Sequence, residues 1–219
     1  MYQWDFSFLA KYVPLIINGT YYTIGFTCIT AILGLIIGLL IALLRVSGRT
    51  FIALPLIGIT EIFRCTPVLV QLIWFYYAFP ILVGIELSPS AAAIMALSLY
   101  GGSFYAEIIR GGMISIERGQ WDAGRAIGMR QIQILRRVIL PQSVRRMVPP
   151  LVGQTILQLK NTSLVSVLAV PDLLYQGQAI TSATYRPLET YTVIALIYFA
   201  ILFPLTRIAE LLELRAGRA

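Results

Sequence analysis

The sequence predicts an all-α integral membrane protein, and its composition and uncharged runs are the observations that predict it. Of the 219 residues, 58% are hydrophobic and only 12% are charged. A typical soluble domain carries about twice that charged fraction. Uncharged runs cover 12–44, 65–85 and 87–106. A helix needs roughly 20 apolar residues to cross the hydrocarbon core, so these runs predict membrane spans.

Five spans are expected in a single domain that covers 1–219. We place them at about 22–44, 57–80, 89–110, 147–169 and 189–209. The first and third are the clearest, because the second begins near Glu61 and Arg64 and Lys160 interrupts the fourth. The N-terminal MYQWDFSFLAKY has no basic residue before Lys11 and precedes a long apolar run. It does not resemble a signal peptide, so we expect it to be retained.

The basic residues predict the orientation. Most of them follow the first, third and fifth spans: Arg45, Arg49, Arg110, Arg118, Arg125, Arg130, Arg136, Arg137, Arg145, Arg146, Arg207, Arg215 and Arg218. The opposite side has Lys11 and Arg186. Because cytoplasmic loops are enriched in Lys and Arg, the N-terminus is expected outside and the C-terminus in the cytoplasm. Topology accounts for the net charge of +7, and nucleic-acid binding is not expected.

No metal site or disulfide is expected. The chain has no histidine, and its two cysteines, Cys28 and Cys65, stand alone in separate predicted spans. The usual zinc sites need clustered cysteine or histidine ligands, which this sequence lacks.

The segment 111–146 is the one long polar insertion, and it is expected on the cytoplasmic side. Asp122 is placed to favour the positive end of a short helix, and Gly128 allows a sharp turn. An amphipathic stretch follows, and Pro141 is expected to end or kink it. The arginines of this stretch would also suit a helix that lies on anionic lipid headgroups.

The spacing in this segment resembles a known signature. Asp122-Ala123-Gly124, three residues, Gly128, nine residues, Val138, one residue and Leu140-Pro141 resembles the loop Glu-Ala-Ala, three, Gly, nine, Ile, one, Leu-Pro of ABC-importer permeases. Three positions differ conservatively, and Gly124 lowers helix propensity by about 1 kcal/mol relative to alanine.

This resemblance implies the type I ABC importer permease fold, with a loop that docks on a cytoplasmic ATPase. The coupling residues would be Gln120, Asp122, Ala123, Gly124, Gly128, Leu140 and Pro141. The chain lacks the Gly-rich phosphate-binding loop of an ATPase. ATP and Mg are therefore expected in the partner ATPase, with no cofactor and no enzymatic activity in this chain.

Other segments resemble the polar amino-acid branch of that family. They are EIFRCTPVLVQ, SFYAEIIRGG, LKNTSLVSVLAVPDLL and LLRVSG. The resemblance implies a bacterial inner-membrane permease that works with two ATPase subunits, a second permease copy or paralogue, an extracytoplasmic amino-acid-binding protein and membrane lipid. Cys65 departs from the glycine that is usual in this branch.

Charged residues within the spans need an explanation, because each costs roughly 2.5–3.5 kcal/mol at the bilayer centre. Glu61 and Arg64 are spaced to pair along one helix, and so are Glu107 and Arg110. Self-contained ion pairs and a role in gating or subunit contact both remain open. Lys160 could face water, snorkel or contact a partner helix.

The fourth span carries a polar face. Gln154, Gln158 and Asn161 share one side of a helix at 100° per residue. Interhelical hydrogen bonding is one interpretation, and a substrate pathway is the other. The family resemblance adds Gly101, Gly102 and Ser103 as positions of close backbone approach on that pathway. Carboxamides can bind both the ammonium and the carboxylate of an amino acid.

Two other functional classes are weaker. An ion-gradient-driven secondary transporter or channel would be expected to show internal repeats, which this sequence lacks. A structural membrane anchor has no need for polar stripes within its spans.

Overall fold

The computed structural model describes residues 2–46 and 49–216, and every regular element in these ranges is helical. The α-helices are α1 (Val13–Val46), α2 (Thr50–Cys65), α3 (Val68–Ile73), α4 (Phe79–Val83), α5 (Pro89–Ile114), α6 (Arg118–Ala126), α7 (Gln131–Ile134), α8 (Leu140–Thr162), α9 (Leu173–Thr184) and α10 (Pro187–Ala216). Short 3₁₀ helices cover Ser7–Tyr12 and Ser163–Leu168. Ser47 and Gly48 of the LLRVSG segment, together with Arg218, lie outside the described residues.

Helices α1 and α5 pack against each other through small residues. A Cβ on Gly38 would lie 2.6 Å from Tyr105 Cβ, and one on Gly34 would lie 3.2 Å from the Gly102 nitrogen. Glycine is therefore required at Gly38, where backbone and side chain meet. Close approach of this kind is how helices associate in a bilayer, where there is no hydrophobic drive between them.

The second predicted span is broken rather than continuous. Helix α2 and the helical run Val68–Val83 meet at an angle of 107°. Proline 67 lacks an amide donor and forces Thr66 into an extended conformation, with φ −107° and ψ 143°. Gln71 Nε2 donates to the main-chain oxygens of Phe63 at 2.8 Å and Thr66 at 3.1 Å. The side chain thus satisfies carbonyls that the break leaves without helical partners.

The helix of the coupling segment continues past Pro141 into the fourth predicted span. A π-turn covers Leu135–Ile139, and α8 follows directly. Pro141 lies directly after the π-turn, inside the continuous helical run from Gln131 to Thr162, where a proline removes one backbone donor from the helix. The expectation that the helix ends at Pro141 is therefore wrong, because helical structure continues on both sides of it. The α-helix ends at Thr162, and the 3₁₀ turn carries the chain to Leu168.

Three helical stretches of the described residues are long and apolar enough to cross a membrane. They are Ser7–Val46, Pro89–Ile114 and Pro187–Leu214, and the broken pair α2 with Val68–Val83 would make a fourth. Helix α8 does not belong to this set. The short helix α9 was not predicted, because its sequence is neither strongly apolar nor regularly amphipathic. It packs against α1 and α10, with Leu173 and Ile180 buried beside Ile194.

Candidate functional site

The predicted coupling segment folds as a short helix on a small apolar platform. Ile116, Ile134 and Ile139 are buried there, with Trp121 and Met129 packed against them. Gly124 of α6 is buried on this platform, and a Cβ at that position would lie 2.7 Å from Ile134 Cγ1. Glycine at this position therefore permits close packing of α6, which offsets its weaker helix propensity.

Gly128 provides the turn that the sequence predicts. Its φ is +78°, in the left-handed region that favours glycine. Its N–H donates to the Arg125 oxygen at 2.9 Å, and the Met129 N–H donates to the Gly124 oxygen at 3.1 Å. The α6 helix is thereby closed at its C-terminal end and held against α7.

The remaining predicted coupling residues divide between two elements. Gln120, Asp122 and Ala123 are exposed on α6, whereas Leu140 and Pro141 are exposed at the start of α8. Gln142 Nε2 donates to Gln120 Oε1 at 3.3 Å and links the two helices. Asp122 lies in the middle of α6 rather than in its first turn. Its carboxylate pairs with Arg125 at 3.4 Å instead of stabilising the helix N-terminus.

Sequence reasoning missed the most prominent apolar residue of this surface. Ile127 follows α6 directly and leaves 77% of its surface exposed. An isolated apolar residue beside a turn glycine, within a segment rich in arginine, was the available signal. An exposed apolar side chain of this kind is suited to pack into a pocket of a partner protein.

Part of the polar face of α8 forms contacts within the chain. Gln158 is fully buried, and its Nε2 donates to the Leu97 main-chain oxygen at 2.8 Å. The other end of this amide fills the space above Gly101, where an added Cβ would lie 3.0 Å from Gln158 Oε1. Gln158 therefore forms the interhelical hydrogen bond that the sequence left as an alternative.

The other two carboxamides retain unused hydrogen-bonding capacity. Gln154 is buried and Asn161 half-buried, and neither Gln154 Nε2 nor Asn161 Nδ2 has a partner within the described residues. Buried donors are normally paired, because leaving one unsatisfied costs about 1–3 kcal/mol. The Lys160 side chain, next to Asn161, is exposed. Gln154 and Asn161 thus keep amide donors that are buried and unpaired within the described part of the chain, and the exposed Lys160 is the neighbour of Asn161.

Glycines 101 and 102 and Ser103 serve contacts inside this chain. A Cβ on Gly102 would lie 2.8 Å from Ile37 Cγ2 of α1, and Ser103 Oγ donates to the Leu99 oxygen at 3.0 Å. Tyr105 was missed as a contact, although its hydroxyl lies 2.9 Å from Thr155 Oγ1 and joins α5 to α8. Within one chain these α5 residues are covered by neighbouring side chains.

The charges of the third predicted span form ion pairs. Glu107 pairs with Arg110 at 2.8 Å and also contacts Arg45 of α1. The predicted pair of neighbours on α5 is therefore a three-residue cluster that joins α1 to α5. A pair of largely buried charges is costly to break, because removing one partner leaves an uncompensated charge.

The second predicted pair is present on α2. Arg64 Nη1 lies 2.6 Å from Glu61 Oε1, and the guanidinium carbon lies 5.7 Å from the centre of the Phe104 ring of α5. The ion pair with Glu61 and the cation–π contact with Phe104 together hold the Arg64 side chain at the junction of α2 and α5.

The sequence and the fold both have relatives. The chain matches, over residues 7–218, the family described as the binding-protein-dependent transport system inner membrane component. It is 36% identical over 214 residues to the glutamine transport system permease protein of Escherichia coli strain K12, covering 97% of this chain and 98% of that protein. A probable amino-acid ABC transporter permease of Bacillus subtilis strain 168 is 35% identical over 203 residues, with 91% and 89% covered.

Solved structures extend the similarity to three dimensions. An amino acid ABC transporter crystallised with histidines superposes with a TM-score of 0.90 at 35% identity, over 98% of this chain and all of that chain. The inward-facing methionine ABC transporter shares the fold, with a TM-score of 0.71 at 21% identity. The chain therefore belongs to the family of binding-protein-dependent inner-membrane transport components, as the permease subunit of an ABC importer.

Proposed function

We propose that this permease carries a polar amino acid across the inner membrane by alternating access, driven by a separate ATPase. Relatives whose names specify glutamine or amino-acid transport support the substrate class. In this proposal α2 with Val68–Val83 forms one span and α8 another, which gives five spans. The arginine-rich segment 111–146 then lies in the cytoplasm with the C-terminus, and the N-terminus lies outside.

The observation that carries the coupling part of this proposal is the exposed surface of α6. Gly124 packs α6 onto Ile134, while Gln120, Asp122, Ala123 and Ile127 remain exposed. A short helix held on a fixed platform moves as a rigid body when a partner grips it. The π-turn and α8 connect it directly to the polar face at Gln154 and Asn161.

The pathway is proposed along this face of α8. Free amide donors at Gln154 and Asn161 suit the carboxylate of an amino acid. Gln158 positions α8 against α5 rather than contacting substrate. A second permease copy or paralogue would close the other side of the pathway, and Lys160 would lie at that boundary.

The remaining partners follow from the importer class. Two cytoplasmic ATPase subunits would bind ATP and Mg and perform the hydrolysis, so this chain would have no enzymatic activity of its own. An extracytoplasmic binding protein would deliver the amino acid.

Reconstitution tests the proposal directly. The permease, its ATPase and its binding protein are placed in vesicles, and uptake of a set of labelled amino acids is measured with and without ATP. ATP-dependent uptake of a polar amino acid is expected. Uptake that needs only an ion gradient would establish the secondary-transporter alternative instead. Gly128→Asp should impair ATPase assembly or coupling, since the left-handed turn disfavours a side chain.

A further inference from the structure

The N-terminal residues 2–12 form an arm that closes over the start of α10. The Tyr2 hydroxyl donates to Glu189 Oε2 at 2.5 Å, and the Asp5 N–H donates to Glu189 Oε1 at 3.2 Å. Glu189 is fully buried. Arg186 lies 3.1 Å from the Glu189 carboxylate and 3.9 Å from that of Asp5. A buried carboxylate with three polar partners therefore fixes the arm to the turn between α9 and α10.

Apolar contacts hold the other end of the arm. Leu9 is buried together with Leu173, Ile180 and Ile194. The Arg186 guanidinium carbon lies 5.9 Å from the centre of the Phe8 ring, within the range of a cation–π contact. The arm is thus a positioned part of the bundle, attached to both α9 and α10.

The outward side of the arm presents aromatic rings. Tyr2, Trp4 and Phe6 expose 52%, 56% and 45% of their surface. The Tyr2 and Trp4 rings meet edge to face at 5.8 Å, and the Trp4 and Phe6 rings stack at 5.7 Å. The three rings form one contiguous exposed patch, which we call the aromatic patch. Large aromatic surfaces of this kind are seldom left in water without a partner.

The chemistry around the aromatic patch points to one environment. Asp5, Lys11 and Arg186 are charged and would be costly in hydrocarbon, whereas tryptophan and tyrosine are enriched where headgroups meet acyl chains. The arm continues directly into α1, whose exposed side chains Val13 and Ile17 are apolar. Helix α1 is long and apolar enough to cross the membrane, with little of it buried inside the bundle. The aromatic patch therefore precedes, along the chain, a helix whose exposed side chains at Val13 and Ile17 suit lipid.

We propose that residues 2–12 are an interfacial anchor that inserts Tyr2, Trp4 and Phe6 into the lipid headgroup layer, with Glu189 as the residue that positions it. The layer is the one at the end of the bundle away from the arginine-rich segment. It belongs to the outer leaflet if the proposed orientation holds. The anchor would fix the depth of α1 and of the turn between α9 and α10 in the bilayer.

Tryptophan quenching tests this placement. The complex is reconstituted in vesicles of phosphatidylethanolamine and phosphatidylglycerol, with part of the lipid brominated near the headgroup end of its chains. The fluorescence of Trp4 is obtained by subtracting the emission of the Trp4→Phe variant from that of the wild type. The other tryptophans are present in both proteins, so their emission cancels. Strong quenching of the Trp4 fluorescence by the brominated lipid and weak quenching by aqueous acrylamide are expected.

Two results would overturn the anchor. One is Trp4 fluorescence that acrylamide quenches freely and brominated lipid does not. The other is the same water-exposed behaviour followed by shielding when the binding protein is added, which would make the aromatic patch a protein-docking surface. The measurement needs no transport and uses quencher in both leaflets. Failure of the anchor is therefore distinct from failure of the transport function or of the orientation.

The positioning role of Glu189 has its own test. Glu189→Gln and the milder Tyr2→Phe should both make Trp4 more accessible to acrylamide. Glu210→Gln is the matched control, because Glu210 pairs with Arg207 at the other end of α10 at 2.7 Å. Unchanged accessibility in both Glu189→Gln and Tyr2→Phe would show that the arm is held without this carboxylate.

Discussion

The Gln158 side chain of α8 donates to the main-chain oxygen of Leu97 on α5 at 2.8 Å and lies directly over Gly101. This contact fixes the distance between the two helices. Because an added Cβ at Gly101 would lie 3.0 Å from Gln158 Oε1, the amide would have to move to accept even a methyl group.

Gly101→Ala should therefore destabilise the permease by about 1–3 kcal/mol through overpacking. Thermal unfolding of the purified protein in detergent, followed by circular dichroism, measures the change. Gly111→Ala is the control on the same helix, because nothing lies within 4 Å of a Cβ there. Equal melting temperatures for the two variants would contradict tight packing at Gly101.

Ile127→Asp should weaken ATPase binding strongly while leaving the permease folded. Ile127 exposes 77% of its surface, so its replacement costs little within the chain, but a charge would oppose an apolar contact with the ATPase. Co-purification of the ATPase with the permease measures this effect. Ile132→Asp is the matched control, since Ile132 is also an exposed isoleucine of the coupling segment. Similar losses in both variants would argue for a diffuse contact without an anchor at Ile127.

Asn161→Leu should change the uptake rate or the selectivity among amino acids and leave assembly intact. The Asn161 amide donor has no partner within the described residues, so its removal breaks no internal hydrogen bond. Uptake kinetics in reconstituted vesicles provide the measurement. Asn18→Leu provides the control, because Asn18 is an exposed carboxamide on a different helix. Identical kinetics for Asn161→Leu and the wild type would remove Asn161 from the pathway.

Asp172→Asn should flatten the pH dependence of stability. Burial raises the pKa of Asp172 to about 6 from the ordinary value of 3.8, against the hydrogen bonds that lower it, of which the Tyr175 N–H bond is 2.8 Å long. A carboxyl group with a raised folded pKa takes up a proton on folding. The free energy of unfolding should therefore fall by up to about 3 kcal/mol as the pH rises through this window.

Thermal unfolding between the two pKa values tests that prediction. Asparagine preserves the cap of α9 and cannot ionise, so its melting temperature should stay level where that of the wild type falls. Asp122→Asn, at an exposed position, should behave as the wild type does. If the melting temperatures of the wild type and Asp172→Asn change with pH in parallel, Asp172 does not titrate in this range.

Local chemistry explains which structural features were predictable. The turn at Gly128 and the pair Glu61–Arg64 depend on residues close together in the chain, and both are present. The 107° break was missed, because hydropathy reports only that 65–85 is apolar. Thr66 and Pro67 favour a local break, but the angle depends on the long-range packing of Phe63 and Phe75 against α5.

The sequence by itself determined the membrane class, through its uncharged runs, and the importer family, through the spacing from Asp122 to Pro141. Those properties reside in composition and in neighbouring residues, so no fold is needed to detect them. Only the tertiary structure decided how the polar face of α8 is divided. Gln158 is turned inward because Leu97 offers an acceptor and Gly101 offers space, whereas the Gln154 and Asn161 amides find no such partner. The three residues share one helical face, and what lies opposite each of them depends on α5, more than fifty residues away in the chain.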